Sequence, residues 1–192
     1  MPEDLIAQHP CEKRDRSRLL FLNKQRETWE DFSFFQLPEF FQKGDVLVIN
    51  DSKVIPARLF GRKETGGILE LLLLTRKKAD EQSQTWEVLI RPAKRLHEGD
   101  RIDLYSACEA TVTARISEKK WLLDFFAPGG FESFLNTFGR APLPPYIKRT
   151  KNARPDMTDL ERYQTVYARN PGSIAAPTAG LHFSNDVLQQ LK

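Results

Sequence analysis

The chain has 192 residues, 40% of them hydrophobic and 29% charged, with a formal net charge of +3. This suits a soluble globular protein of one large or two small domains. No apolar run nears the roughly 20 residues that span a bilayer, and the start MPEDLIAQHP lacks the basic and apolar regions of a signal peptide, so a cytoplasmic protein is expected. Cys11 and Cys108 are far apart and His9, His97 and His182 are scattered, which argues against a disulfide framework, a zinc site or an iron–sulfur site.

In chain order, Asp45–Asn50 (DVLVIN) is a short apolar run after Lys43-Gly44 and reads as a buried strand. Further strands are expected at 58–61, 68–75, 86–91, 101–105, 109–116 and 121–126. Gly66-Gly67, His97–Asp100 and Glu118–Lys120 supply turns between them. Closely and evenly spaced short strands of this kind indicate a small barrel or sandwich. Thr111, Thr113 and Arg115 alternate with Ala110, Val112 and Ala114, as in a strand with one wet face.

Helix signals follow. Phe131, Phe134, Leu135 and Phe138 fall on one helical face and Gly139 stops it, a stripe that reads as core. Pro142–Pro145 is a stiff connector. Thr158-Asp-Leu-Glu161 reads as a capping box that opens a helix through about Ala168, with Leu160, Tyr163 and Tyr167 on one face. Ser184 caps a last helix through Leu188 and Leu191.

The densest chemistry lies in 161–183. Two tyrosines, two arginines, a glutamine, two threonines and a histidine lie in or around a Gly/Ala/Pro-rich loop. Small residues let a backbone approach a ligand, while tyrosine and arginine stack on bases and bind phosphates. The pattern fits a site for a nucleotide-like ligand, and a plain Pro/Gly connection between helices fits it as well. From Arg140 to Arg169, seven basic residues face three acidic ones. Such a region either neutralises RNA phosphates or is a solvated linker.

ERYQTVYA at 161–168 and AAPTAGLHF at 175–183 resemble two signature segments of the S-adenosylmethionine:tRNA ribosyltransferase-isomerases of queuosine biosynthesis. DLIAQHP at 4–10, NDSKVIPARLFGRKETGG at 50–67, RPAKRLHEGD at 91–100 and PLPPYIKR at 142–149 resemble the same family in the same order. Members are longer at both ends. The chain is therefore expected to be a portion lacking the C-terminal half and the extreme N-terminus, with its own turnover left open.

The resemblance implies a β-rich α+β fold: a core α/β domain of residues 1–57 and 141–192, and an inserted, small, barrel-like domain of residues 58–140. It implies S-adenosylmethionine as ribosyl donor and co-substrate, no metal, and a tRNA with a GUN anticodon as partner. A cytoplasmic monomer is expected. Epoxyqueuosine-tRNA would form as adenine and methionine leave. The sequence has neither the CxxxCxxC of a radical enzyme nor a Rossmann-type glycine-rich turn.

Site residues follow from that chemistry. His182 is the candidate base or acid, or else a loop hydrogen-bonder. Asp51 binds a ribose hydroxyl or the substrate amine, or else caps a turn. Tyr163 and Tyr167 stack on a base, though Tyr163 equally suits the core. Arg162, Arg149 and Lys148 suit phosphate or carboxylate, with Tyr146, Gln164, Thr178 and Gly180 beside them. Arg58, Arg91, Lys94 and Arg95 suit the tRNA backbone, Lys94 and Arg95 alternatively being ordinary turn charges. A non-catalytic RNA-binding β-barrel module is the alternative reading.

Overall fold

The computed structural model describes residues 2–149 and 156–192. Two compact units are present: Met1–Val54 with Pro144–Lys148 and Glu161–Lys192, and Ile55–Leu143 with Arg149–Leu160.

The second unit holds a closed antiparallel barrel. Its strands are β4 (Arg58–Lys63), β5 (Ile68–Ala79), β6 (Ser83–Arg91), β7 (Arg101–Leu104), β8 (Cys108–Arg115) and β9 (Lys120–Phe126), in the order β4-β5-β6-β9-β8-β7. The six expected strands are all there, with β5 and β6 longer than their apolar runs because hairpin pairing carries on past the core. Alternation drives the closure. Leu59, Leu71, Leu73, Val88, Ile90, Ile102, Leu104 and Leu123 are fully buried, each worth about 1.5–3 kcal/mol of burial. The seam between β4 and β7 is short, pairing Arg62 with Asp103 and Lys63 with Ile102. Gly61 sits there because a Cβ would lie 2.5 Å from the Ile102 side chain.

Turns match the punctuation. Gly66 has φ +87° in the β4–β5 turn. Tyr105 and Ser106 have φ +59° and +56° in the β7–β8 turn, where the Ser106 N–H donates to the Asp103 carboxylate. The expected wet face of β8 also holds, with a bulge between Val112 and Ala114. Helix α1 (Phe131–Phe138) buries Phe131, Phe134 and Leu135. Phe131 packs on Phe125 and Trp86, at 5.3 and 6.2 Å between ring centroids. The aromatic stripe is core, as expected.

The first unit contains a hairpin that the sequence reading missed, β1 (Arg18–Asn23) with β2 (Thr28–Ser33). Its signal was Asn23, whose side-chain oxygen accepts the N–H groups of Gln25 and Arg26 at 3.1 Å each. Phe21 stacks on Phe40 at 4.7 Å beside Phe32. A small core forms from Phe34, Phe183 and Val187, with Leu19, Leu37, Tyr167, Leu188 and Leu191 against it. Helix α3 (Asn185–Gln190) is capped by Ser184 as expected. A parallel pair, β3 (Ser52–Val54) with β10 (Asn170–Ser173), completes the unit.

Three expectations are corrected. Asp45–Asn50 is not a buried strand: it forms no ladder, and Val46 and Val48 are 84% and 88% exposed, because no described segment pairs with it. The helix near 158 is α2 (Met157–Arg162) and stops six residues before Ala168. Beyond it the backbone bonds to other segments, with Gln164 turned to Val54, so Leu160, Tyr163 and Tyr167 do not share a helical face. Its first turn is served by Asp156, which accepts the Thr158 N–H at 2.8 Å, rather than by a Thr158–Glu161 box. Among the basic residues of 140–169, Lys151 and Arg154 lie outside the described residues.

Gly139 closes α1 where a Cβ would meet the backbone oxygens of Pro56 at 2.3 Å and Leu135 at 2.5 Å. Gly139→Ala should destabilise the barrel unit by about 1–3 kcal/mol through overpacking, measurable as a lower urea midpoint with unchanged slope.

Candidate functional site

The two signature segments meet in the first unit. Tyr167 lies against the Gly180 backbone so closely that a Cβ on Gly180 would sit 2.3 Å from the Tyr167 hydroxyl and 2.9 Å from the Thr165 methyl. Gly180 is thus fixed by close approach, in the 3-10 turn Thr178–His182. Burial raises the Tyr167 pKa, and its ring meets Phe183 edge-on at 6.1 Å. Thr165 is buried with no partner for its hydroxyl among the described residues.

His182 ends that turn, half-buried, its ring 5.4 Å from the ring of Phe34. Burial lowers its pKa. The imidazole is therefore neutral near pH 7, a state in which one ring nitrogen accepts a proton.

Two arginines tie the segments down. Arg14 donates to the carbonyls of Glu161 at 2.9 Å, Arg162 at 3.2 Å and Leu181 at 3.3 Å. Arg162 donates in return to the carbonyls of Glu12 at 2.8 Å and Cys11 at 2.6 Å. Burial and the neighbouring Arg162 charge both lower the Arg14 pKa. Two guanidinium groups thus stand together with carbonyls as their hydrogen-bond acceptors, and the Glu161 charge partly offsets theirs. Next to them the Ser184 hydroxyl donates to Asp15 at 2.7 Å. Sequence reasoning missed Arg14 and Asp15, because nothing in a lone Arg-Asp pair announces acceptors about 150 residues away.

Side chains also complete β3 and β10. Gln164 accepts the Val54 N–H at 2.9 Å and donates back to the Val54 carbonyl, acting as a strand neighbour. The Asp51 carbonyl accepts the N–H groups of Arg169 and Asn170, and its carboxylate accepts the Asn170 amide at 3.0 and 3.1 Å. Asp51 therefore sets the register of β10, and its half-buried carboxylate keeps further acceptor capacity. Gln8, also missed as a site residue, donates to the Tyr146 carbonyl and accepts the Lys148 N–H at 2.7 Å.

The other expected residues divide. Tyr163 is buried, in keeping with its core reading, whereas Thr178 and Tyr146 are exposed. Lys148 pairs with exposed Glu3 and lowers the Glu3 pKa. In the second unit Arg149 makes a two-pronged pair with Asp159, both contacts at 2.8 Å. Arg58 donates to the Leu143 carbonyl at 2.6 Å and faces Glu70 at 3.4 Å. Arg91, Lys94 and Arg95 are exposed around a loop in which Lys63 holds Asp100 at 2.8 Å. A cavity of about 660 Å³ lies between the β7–β8 turn and α1, and none of the expected site residues lines it. Among the described residues, no group of three or more His, Cys, Asp or Glu is arranged to hold a metal, and no helix is long and apolar enough to cross a membrane.

Comparison with known proteins bears on this arrangement. A family model described as "Queuosine biosynthesis protein" matches residues 1–192. The chain is 49% identical over 208 residues to an S-adenosylmethionine:tRNA ribosyltransferase-isomerase of Syntrophus aciditrophicus, covering 100% of this chain and 58% of that one. It is 42% identical over 192 residues to the protein of the same name in Trichlorobacter lovleyi, covering 100% and 54%. A crystal structure of an S-adenosylmethionine tRNA ribosyltransferase from Thermotoga maritima is 28% identical, with 99% of this chain and 51% of that chain covered and a TM-score of 0.33. The chain spans little more than half the length of the curated relatives it matches.

Two outcomes follow from the geometry. Gly180→Ala should cost about 1–3 kcal/mol, and Tyr167→Phe, which removes the nearest atom, should restore part of it in the double variant, as a denaturation cycle would read. The depressed His182 pKa means that the unfolded chain binds more protons near pH 6 than the folded one. Stability should be fully held above the ordinary value of 6.5 and fall as pH drops from there through the folded pKa. His182→Gln should flatten that slope in urea titrations between about pH 8 and pH 5.

Proposed function

Because the chain belongs to the queuosine biosynthesis protein family, we propose that it carries the N-terminal part of an S-adenosylmethionine:tRNA ribosyltransferase-isomerase. The reaction moves and isomerises the ribosyl group of S-adenosylmethionine onto 7-aminomethyl-7-deazaguanine at the wobble position of a tRNA with a GUN anticodon. Epoxyqueuosine-tRNA forms, and adenine and methionine leave. We place the reaction in the cytoplasm, with a monomeric enzyme and no metal. The domains proposed are a core of residues 1–57 and 141–192 and an inserted barrel of residues 58–140.

The observation that carries this reading is the meeting of 161–168 with 175–183, fastened by Arg14 and by the Tyr167–Gly180 contact. The reaction begins with a proton removed beside the sulfonium, and a base for that step is neutral at the working pH. His182 meets the requirement through burial. The Arg14–Arg162 pair supplies positive potential for the methionine carboxylate. Asp51 offers spare lone pairs to a ribose hydroxyl or to the amine of the deazaguanine. Tyr167, seated on Gly180, is assigned to stack on a base, with Gln164 and Thr178 at the margins and Tyr163 supporting from the core. Tyr146 and Lys148 suit the anticodon stem, since the Lys148–Glu3 pair is exposed and weak enough for a phosphate to displace. Arg149, Arg58, Arg91, Lys94 and Arg95 are assigned to the tRNA backbone.

The direct test supplies S-adenosylmethionine and tRNA bearing the aminomethyl base to this chain joined to the remainder of the Syntrophus relative. Adenine release and epoxyqueuosine formation are the readouts, and absence of both would overturn the reading. In that protein His182→Ala should slow adenine release by about 10²–10⁴-fold with little change in tRNA affinity. Affinity for tRNA should fall steeply between about 50 and 200 mM salt, and Arg91→Ala with Lys94→Ala should reduce the salt slope in gel-shift titrations.

A further inference from the structure

We propose that the cavity between the β7–β8 turn and α1 is a binding site for a small aliphatic polyamine, a linear cation whose ammonium groups are joined by short methylene chains. Every residue that lines it belongs to the barrel unit, so the inference stands apart from the ribosyl-transfer reading. Its volume of about 660 Å³ falls within the roughly 300–1,000 Å³ of small-molecule sites.

Strand register builds the charged wall. Asp103 on β7 lies opposite Glu109 on β8, and Glu109 lies opposite Phe126 on β9. Directly opposite residues share a face of the sheet, so two carboxylates and an aromatic ring form one row across three strands. All three line the cavity. Like charges in directly opposite positions repel, and the chain answers this pair only weakly. Arg101 comes no closer to Glu109 than 3.9 Å, with both side chains more than half exposed. The Asp103 carboxylate accepts the Ser106 N–H. Arg62 lies opposite Asp103 on β4 but forms no ion pair with it. Among the described residues, no lysine, arginine or histidine lines the cavity. Both carboxylates act on its interior, where their charge adds to burial in raising the Cys108 thiol.

The rest of the lining is largely apolar. Phe126 is 49% exposed, and Ala127, Pro128 and Phe134 also face the space. Methylenes lose water against such walls, and an ammonium over the Phe126 ring gains cation–π attraction. The Ser106 and Ser133 hydroxyls add acceptors for ammonium N–H groups. This combination selects the ligand. A metal ion would answer the carboxylates and leave the apolar walls wet. A neutral apolar molecule would leave the carboxylates unanswered. One lysine of a partner peptide would bring a single ammonium to a wall with two carboxylates. A polyamine supplies two or more charges on an apolar stem.

The test titrates the 192-residue chain with spermidine at low salt, by calorimetry and by amide resonances. The amides of Ser106, Gly129, Gly130 and Ser133 should shift to 1:1 saturation, and affinity should fall as salt rises. Asp103→Asn and Glu109→Gln should each weaken binding about 2–5-fold, as exposed ion pairs do. Asn at 103 still offers an acceptor to the Ser106 N–H, so the turn is kept. Phe126→Leu keeps an apolar wall without the ring and should weaken binding about 2–5-fold. Urea midpoints of the ligand-free variants check that the barrel is intact. Shifts confined to other amides, or a double Asp103→Asn, Glu109→Gln variant that binds spermidine like the parent, would overturn the proposal. So would magnesium ion shifting the same amides as strongly, or tetralysine binding more tightly than spermidine, which would assign the cavity to a metal ion or to a basic peptide.

Discussion

Side chains that answer backbone groups hold the first unit together. Arg14 and Arg162 between them satisfy five carbonyls, Gln164 satisfies both polar groups of Val54, and Gln8 joins the N-terminal segment to Tyr146 and Lys148. Buried or half-buried backbone groups left unpaired cost about as much as lost hydrogen bonds. In a region with so little ladder, these contacts do what a sheet does elsewhere. The loop bearing His182 takes its position from them, and the protonation state of His182 then follows from the wall of Phe34 that it meets.

The barrel unit is built on the opposite principle. Its hydrogen bonds run strand to strand, its interior is apolar, and several of its charged residues form pairs. Glu87, for instance, is bridged by Lys77 and Lys120, which lower its pKa. The Arg101–Glu109 pair, exposed on both sides, adds little stability. Buried Cys108 is no part of that pairing, since burial pushes its thiol up to about 12.

The contrast between the units explains where half-buried polar groups collect. Close packing inside a barrel resists alteration, because each inward position is filled. A unit fastened by polar side chains holds the Asp51 carboxylate and the His182 ring at intermediate burial; the carboxylate keeps acceptor capacity, and burial lowers the His182 pKa. The unpaired 46–49 run belongs to the same unit. The parallel pair beside it is small, and β3 begins only three residues after Ile49.

Local pattern settled the barrel. Its six strands, the Gly66 turn, the α1 stripe and the Ser184 cap were each readable because their causes lie within a few residues: alternation, positive φ, helical spacing and an N-cap oxygen. The two signature segments were also visible, by likeness to a family. Tertiary structure decided what those segments do to each other. Leu47 and its neighbours look like a buried strand by composition, yet a strand is buried only if a partner is present, and no described segment supplies one. The 158–168 stretch has helical periodicity as far as Tyr167, but the helix ends at Arg162, the Gln164 side chain bonds Val54 and the Arg169 N–H bonds the Asp51 carbonyl. Arg14 meets Leu181 across 167 positions of chain. Propensity acts over a turn or a strand, whereas hydrogen-bond satisfaction acts over whatever distance the fold closes, and it fixed the surroundings of His182.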